Sequence, residues 1–466
     1  MDPATFVVAE QAVSTTVEGA AIAGIGLAQS TQPLNATFTR ITSEAFLPRS
    51  SHTISVVAGK AYIFGGEKSP GSLADDNVHI IKLPSKKPTN VGEPEYKCVP
   101  SLGEAEAGKG RTPGQRAGHT ACVIGHRIYV FGGKGRDGRP IEENGTLWVF
   151  DTEALSWSGL DVSGDSPSTY PQARYSHSAV ASEYPPPPSA TIPETASYAE
   201  QIKSTVAKIP ALVGKGTPPR EPHGSIIICG GLSSSSSEPL TDICTFTVAS
   251  NSWSALPDIP ALSTHPTLAH ANHNLYVLGG SSEVGSEIHR LQLHNDSRVS
   301  ANMAIRSEQT KWSNLPFPTN PLAPGPRPRT GAGMLPVTTG NGRLYILYFL
   351  GQKATKGGEK EEAEYWSDTW SYQVPAVDIM PAGIKDKTRS LMGISTGEGT
   401  WAEVKVVPNE EGSGGLETEG KSHPGPRGWF ASCVLGKDFD GGGVVIWGGI
   451  NAKGDTEGEG WIVSVK

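Results

Sequence analysis

The sequence predicts an all-β protein, a β-propeller of six blades, and three observations lead to it. Short apolar runs rich in Val, Ile, Tyr, Phe and Trp recur along the 466 residues, each about one strand long. Turn punctuation is dense, with 56 Gly and 37 Pro. A unit of four such runs repeats, which overrides the two or three domains that length alone would suggest. One four-stranded sheet cannot bury both of its faces, but repeated sheets stacked around an axis can.

Residues 116–160 show the unit most clearly. Four runs fall at 119–124, 127–131, 147–151 and 156–160, broken by Gly-His, Gly-Gly and a polar connection. Residues 1–34 differ in texture, with no charged residue between Glu18 and Arg40. Phe6, Val13, Val17 and Ala21 recur near helical spacing, so a short helical segment is expected there, packed on the body or serving as a docking segment.

The blades are expected at about 49–100, 116–160, 174–256, 263–315, 327–406 and 427–466. The sixth reaches the chain end after three strands, and residues 36–42 alternate like a strand without a neighbour in sequence. That stretch is the expected fourth strand of the last blade, a join that removes two open sheet edges. The body then runs over 35–466. The third blade is interrupted by an insertion, 183–223, that starts with Pro185 to Pro188. Pro193 followed by Glu194 is a helix start, and Tyr198, Ile202, Val206 and Ile209 form one stripe after it. Residues 375–399 are a second long insertion.

These repeats resemble kelch motifs. The residues that carry the resemblance are the Gly-Gly pairs at 65–66, 132–133, 230–231, 279–280 and 448–449, with Trp157, Trp253, Trp312 and Trp401 downstream. Two blades depart from the pattern: the fifth lacks the Gly pair and the fourth lacks the opening Arg. Glycine at a strand end permits positive φ and close backbone approach. An outer-strand Trp can fill the wedge between blades.

The resemblance implies that the start of the inner strand and the loop after Gly-Gly open on one face. Arg49, Arg116, Arg174, Arg327 and Arg427 would then form a partial ring at the central mouth, joined by Lys134, Arg136, Tyr175 and Trp429. Guanidinium groups so placed suit carboxylates or an acidic peptide. The alternative is that each Arg bonds a backbone carbonyl of the next blade. His52, His119 and His177, one per repeat, are expected to satisfy fixed backbone bonds.

No metal site and no cofactor are expected. His265, His270 and His273 lack a third ligand at usable spacing. Plant kelch proteins that redirect glucosinolate breakdown carry a Glu-x3-Asp-x3-His iron motif; here Asp75 and His79 have that spacing, but Gly71 stands where Glu belongs.

The net charge of −8 argues against a nucleic-acid or anionic-membrane surface over the whole molecule. No apolar run of about twenty residues occurs, and the first residues lack the basic start of a secretory signal. Five widely spaced Cys read as reduced thiols. The expected protein is a monomer of the cytoplasm or nucleus, not secreted. It binds an acidic or polar protein segment, or a small molecule, at its mouth. The alternative function is a cofactor-independent isomerase, cyclase or lyase of specialised metabolism acting in the channel. A deep, partly apolar pocket would favour the enzyme, and a broad shallow rim the binding module.

Overall fold

A computed structural model describes residues 31–41, 46–84, 95–101, 112–162, 170–185, 222–233, 239–259, 265–278, 287–294, 306–307, 312–316, 325–339, 342–353, 363–376, 381–408, 423–436 and 442–466. The expected helices in 1–34 and after Pro193, and the pair Gly279-Gly280, lie outside these residues.

Six antiparallel sheets make the predicted propeller. In blade two, for example, Thr120–Ile124, Arg127–Phe131, Leu147–Asp151 and Ser156–Leu160 pair in sequence order. The first strand of each blade is innermost. Thr53–Val57, Thr120–Ile124, Ser178–Ser182, Thr267–Ala271, Gly333–Thr338 and Ala431–Val434 each touch the next, and the last touches the first, so the ring is closed.

The sequence texture follows from position in the blade. Second strands are covered on both faces by neighbouring blades and read as continuous apolar runs; Ile226, Ile227, Ile228 and Cys229 are all buried. Outer strands such as Tyr96–Val99 and Ser156–Leu160 are exposed or half-buried along their length. The outer Trp residues fill the wedges: Trp157 meets Phe64 of blade one at 5.0 Å, and Trp253 meets Phe131 of blade two at 5.2 Å.

The closing strand is Asn35–Arg40. It pairs antiparallel with Gly460–Val465, from Ala36 opposite Val465 to Arg40 opposite Trp461. Ala36 and Phe38 turn into the core, which fixes the register, because a one-residue slip would send both to solvent. The outer edge of this strand is covered in turn by Lys405–Val406, paired in parallel.

One helix occurs among the described residues, α1, Pro381–Leu391, inside the second insertion. The sequence pattern predicts no helix there. Its segment has little apolar periodicity, and a buried ion pair seats it: Arg343 donates to both Asp386 oxygens at 2.6 and 2.5 Å.

Candidate functional site

The mouth of the channel is built from one repeated tetrad at the start of each inner strand. Its first residue is Arg49, Arg116, Arg174, Arg329 and Arg427 in blades one, two, three, five and six, and all five are at most 1% exposed. Each guanidinium does two things. It donates to the carbonyl of the first residue of the Gly-Gly turn in its own blade, Gly65, Gly132, Gly230, Leu350 and Gly448, at 2.7 to 3.1 Å. It also reaches a carboxylate just ahead of the third strand: Asp75, Glu143, Asp242, Asp368 and Glu459, at 2.5 to 2.9 Å.

The backbone carbonyl of the same Arg accepts a bond from the second Gly of the preceding blade: Gly66 to Arg116, Gly133 to Arg174, Gly351 to Arg427 and Gly449 to Arg49, at 2.8 to 2.9 Å. The arginines are therefore a collar that clamps turn to strand and blade to blade. Burial alone would raise the carboxylate pKa values of Asp368 and Glu459, yet the bonds from Arg329 and Arg427 hold both below the usual range.

This corrects two expectations. The guanidinium groups of Arg49, Arg116, Arg174 and Arg427 are each buried and paired with a carboxylate of their own blade. The carbonyl they bond belongs to their own blade, not the next. In blade five the collar residue is Arg329, and Arg327 is exposed with its guanidinium 5.4 Å from the Trp366 ring. The Pro-Arg-Pro-Arg run offers two arginines. Counting four residues back from the inner strand at Gly333, as Arg49 precedes Thr53, selects Arg329.

The third tetrad residue faces the axis. Ser51, Gly118, Ser176, His265, Gly331 and Trp429 all have φ between 53 and 66°. Four amides of this ring bond the carbonyl of the preceding ring residue: Ser51 to Trp429, Gly118 to Ser51, Ser176 to Gly118 and Trp429 to Gly331, at 2.7 to 2.9 Å. Four small residues leave space for two large ones. The His265 and Trp429 rings meet edge to face at 4.8 Å, and Trp429 is anchored by a bond from Nε1 to Gln352 at 2.9 Å. Left-handed backbone is costly for a residue as bulky as Trp. The cavity left at the mouth is about 160 Å³, lined by residues of all six blades.

The fourth tetrad residue locks neighbouring blades. His119 Nε2 pairs with the Thr53 hydroxyl at 3.0 Å, and His177 Nε2 with the Thr120 hydroxyl at 2.8 Å. The bonds go to side chains of the preceding blade, not to the backbone as expected. For His52 the corresponding position is Ala431, which has no hydroxyl, and neither ring nitrogen of His52 has a partner. Burial, with help from Arg49, pushes the His52 pKa down to about 3; burial and Arg174 do the same to His177.

The rim carries the remaining predicted residues. Lys134 pairs with Glu67 at 2.8 Å and lies 6.0 Å from the Tyr175 ring. Arg136 is exposed and donates twice to Gln115, at 2.9 and 2.6 Å. Tyr175, Trp429, Tyr365 and Trp366 are half-buried.

Asp75 and His79 do come together, at 2.8 Å. The Arg49 guanidinium stands 2.7 Å from Asp75 and 2.6 Å from His79, so a cation already occupies the place a metal would need. His270 lies on the strand Thr267–Ala271 and His273 in the turn after it. Among the described residues no group of three His, Cys, Asp or Glu could hold a metal ion. No helix among them is long and apolar enough to cross a membrane.

Residues 30–184 match the family described as the KLHDC2/KLHL20/DRC7 Kelch-repeats domain. The chain is 35% identical over 124 residues to the Rho GTPase-activating protein gacHH of Dictyostelium discoideum, which covers 26% of this chain and 7% of that protein. It is 30% identical over 131 residues to the Rab9 effector protein with kelch motifs of Mus musculus, covering 27% of this chain and 30% of that one. The chain thus spans under a third of the length of both relatives. The solved structure titled "Structure of YjhT" superposes with a TM-score of 0.51 at 12% identity, covering 91% of this chain and 99% of that one, which is a likeness of fold.

Proposed function

We propose that this chain, a kelch-repeat β-propeller, is a protein-binding module that takes an acidic or polar segment across its mouth face. The observation that carries this reading is the filled mouth. His265 and Trp429 reduce it to about 160 Å³, against roughly 300–1,000 Å³ for sites that enclose small ligands. A shallow floor with aromatic residues suits an extended chain laid over it.

The collar arginines are spent on their own carboxylates, so recognition falls to the rim. Arg136 and Arg327 are among the exposed cations there, Tyr175 and Trp429 supply apolar contact, and Lys134 lies 6.0 Å from the Tyr175 ring. The mouse relative, named a Rab9 effector protein with kelch motifs, fits the same class. The test is quantitative capture from native lysate with wild type and with Arg136→Glu/Tyr175→Ala/Arg327→Glu. A protein lost from the variant alone supports the mouth as the interface. Capture of the same proteins by both baits would overturn it.

A further inference from the structure

Blade one differs from its neighbours at the second residue of its third strand. In blades two and five that residue is a Trp whose indole N–H donates to the collar carboxylate, Trp148 to Glu143 at 2.8 Å and Trp370 to Asp368 at 2.7 Å. In blade one it is His79, which has two ring nitrogens. Nε2 pairs with Asp75 at 2.8 Å, and Nδ1 reaches the Tyr96 hydroxyl on the outer strand at 2.7 Å. The His79 and Tyr96 rings also stack, with centroids 6.0 Å apart. Tyr96 is thus held by its polar end and is still 46% exposed, so what it presents to solvent is its ring. Phe46, 41% exposed, meets that ring edge to face at 5.5 Å.

The strand that carries Tyr96 is a sheet edge. Among the described strands, Tyr96–Val99 pairs with Val78–Lys82 alone. The Lys82 N–H donates to the Glu95 carbonyl at 3.0 Å. Antiparallel alternation then turns the backbone of residues 97 and 99 inward and leaves the N–H and C=O of Tyr96 and Cys98 pointing away from the sheet. Side chains alternate as well. Tyr96 lies opposite Ile81, on the face toward blade six. Lys97 lies opposite Ile80, on the face toward blade two, and shares that face with Lys82 and its cross-strand partner Lys60. All three lysines are exposed, and Glu95, paired with Lys82 at 3.0 Å, is the one carboxylate among the described residues of that face.

Blade six shows that this frame accepts a fifth strand. Along the outer edge of Asn35–Arg40, Lys405 N–H donates to the Leu34 carbonyl and Val407 N–H to the Ala36 carbonyl, both at 2.9 Å. We propose that the outer edge of blade one is a protein-binding surface apart from the mouth, which takes an extended partner segment as an added strand, with an acidic residue toward Lys97 and Lys82 and an apolar residue toward Tyr96 and Phe46. Backbone bonds to residues 96 and 98 hold the segment, and the lysine and aromatic faces select its side chains. The lysine excess attracts an acidic segment and disfavours a second copy of the same edge.

The test is selection of a random-peptide phage library on the full chain, compared with Lys97→Glu, Cys98→Pro and Arg136→Glu. Position 97 is exposed, and proline at 98 removes only an outward N–H, so both edge variants keep the sheet, as melting temperatures verify. The proposal predicts peptides that alternate Asp or Glu with apolar residues. Their recovery falls at least tenfold on Lys97→Glu and on Cys98→Pro and is unchanged on the mouth variant Arg136→Glu. With such a peptide bound, the amides of Tyr96 and Cys98 exchange at least tenfold more slowly. Should Cys98→Pro unfold, Lys97→Glu and these two amides decide alone. No enrichment on wild type, or equal recovery on the edge variants, overturns the proposal. So does a dimer of the free chain that Lys97→Glu or Cys98→Pro dissolves, because the occupant is then a second copy.

Discussion

His265 and Trp429 come from blades four and six and meet edge to face across the channel mouth, with ring centroids 4.8 Å apart. The contact exists because the ring positions between and beside them are Gly331, Gly118, Ser51 and Ser176. A Cβ on Gly331 would come within 2.8 Å of Trp429, so the glycine is what lets the indole lie across the opening.

Two substitutions separate this plug from the frame. Gly331→Ala adds a Cβ against Trp429 at a position with φ of 59°, and a loss of about 1–3 kcal/mol is expected in urea unfolding. Trp429→Gly removes the indole but also relieves left-handed strain of about 1–2 kcal/mol, so its melting temperature should stay near wild type while partner capture falls at least tenfold. Full capture by Trp429→Gly would remove the plug from the interface.

The collar should behave as structure. Arg427 and Glu459 are each about 1% exposed and 2.9 Å apart. Arg427→Met leaves a buried carboxylate whose remaining ion pair is with Arg40, and a loss of about 3–5 kcal/mol is expected in denaturant unfolding. A variant of wild-type stability that no longer binds its partner would show that the guanidinium faces the ligand after all.

Most of the frame was legible in the sequence. Strand length, the Gly-Gly turns and the unpaired run at 36–42 follow from local chemistry, since a strand covered on both faces must be apolar and a sheet edge must be closed. The helix α1 was not, because its seat is one Arg343–Asp386 pair rather than a stripe. Of the proposed site, Lys134, Arg136, Tyr175 and Trp429 were named from the sequence, whereas the burial of the collar arginines inside their own blades was not anticipated. A repeated Arg and a repeated acid one to four positions ahead of the third strand (as Asp75 precedes Val78, and Asp242 Ile243) signal an internal pair. That signal lies in two segments of each blade, and only the first had been read.

His52 supplies a gain-of-stability prediction. Thr53 and Thr120 each cap a histidine of the following blade, and Ala431 is the residue in that place for His52. Ala431→Thr should supply the missing hydroxyl and stabilise the closing joint by about 0.5–1.5 kcal/mol, read by thermal and urea unfolding. No gain would mean that His52 is satisfied in another way.

The same histidines set an acid limb. The folded pKa values of His52 and His177 lie near 3, below the ordinary value of 6.5, so the unfolded chain binds more protons between these limits. Stability is therefore complete above about pH 6.5 and falls as pH drops toward 3, by up to about 1.4 kcal/mol per pH unit for each histidine. His52→Leu should flatten the slope between pH 4 and 6 by about one proton. An unchanged slope would show that His52 is protonated in the fold.

The central claim is that a protein segment lies on the mouth face, and site-specific photo-crosslinking tests it most directly. A photoreactive residue is placed at Arg136 on the rim, and in a second protein at Ala58, an exposed hairpin position at the far end of the inner strand. The account predicts a discrete protein adduct from position 136 in native lysate and none from 58. Adducts from 58 with none from 136 would contradict it.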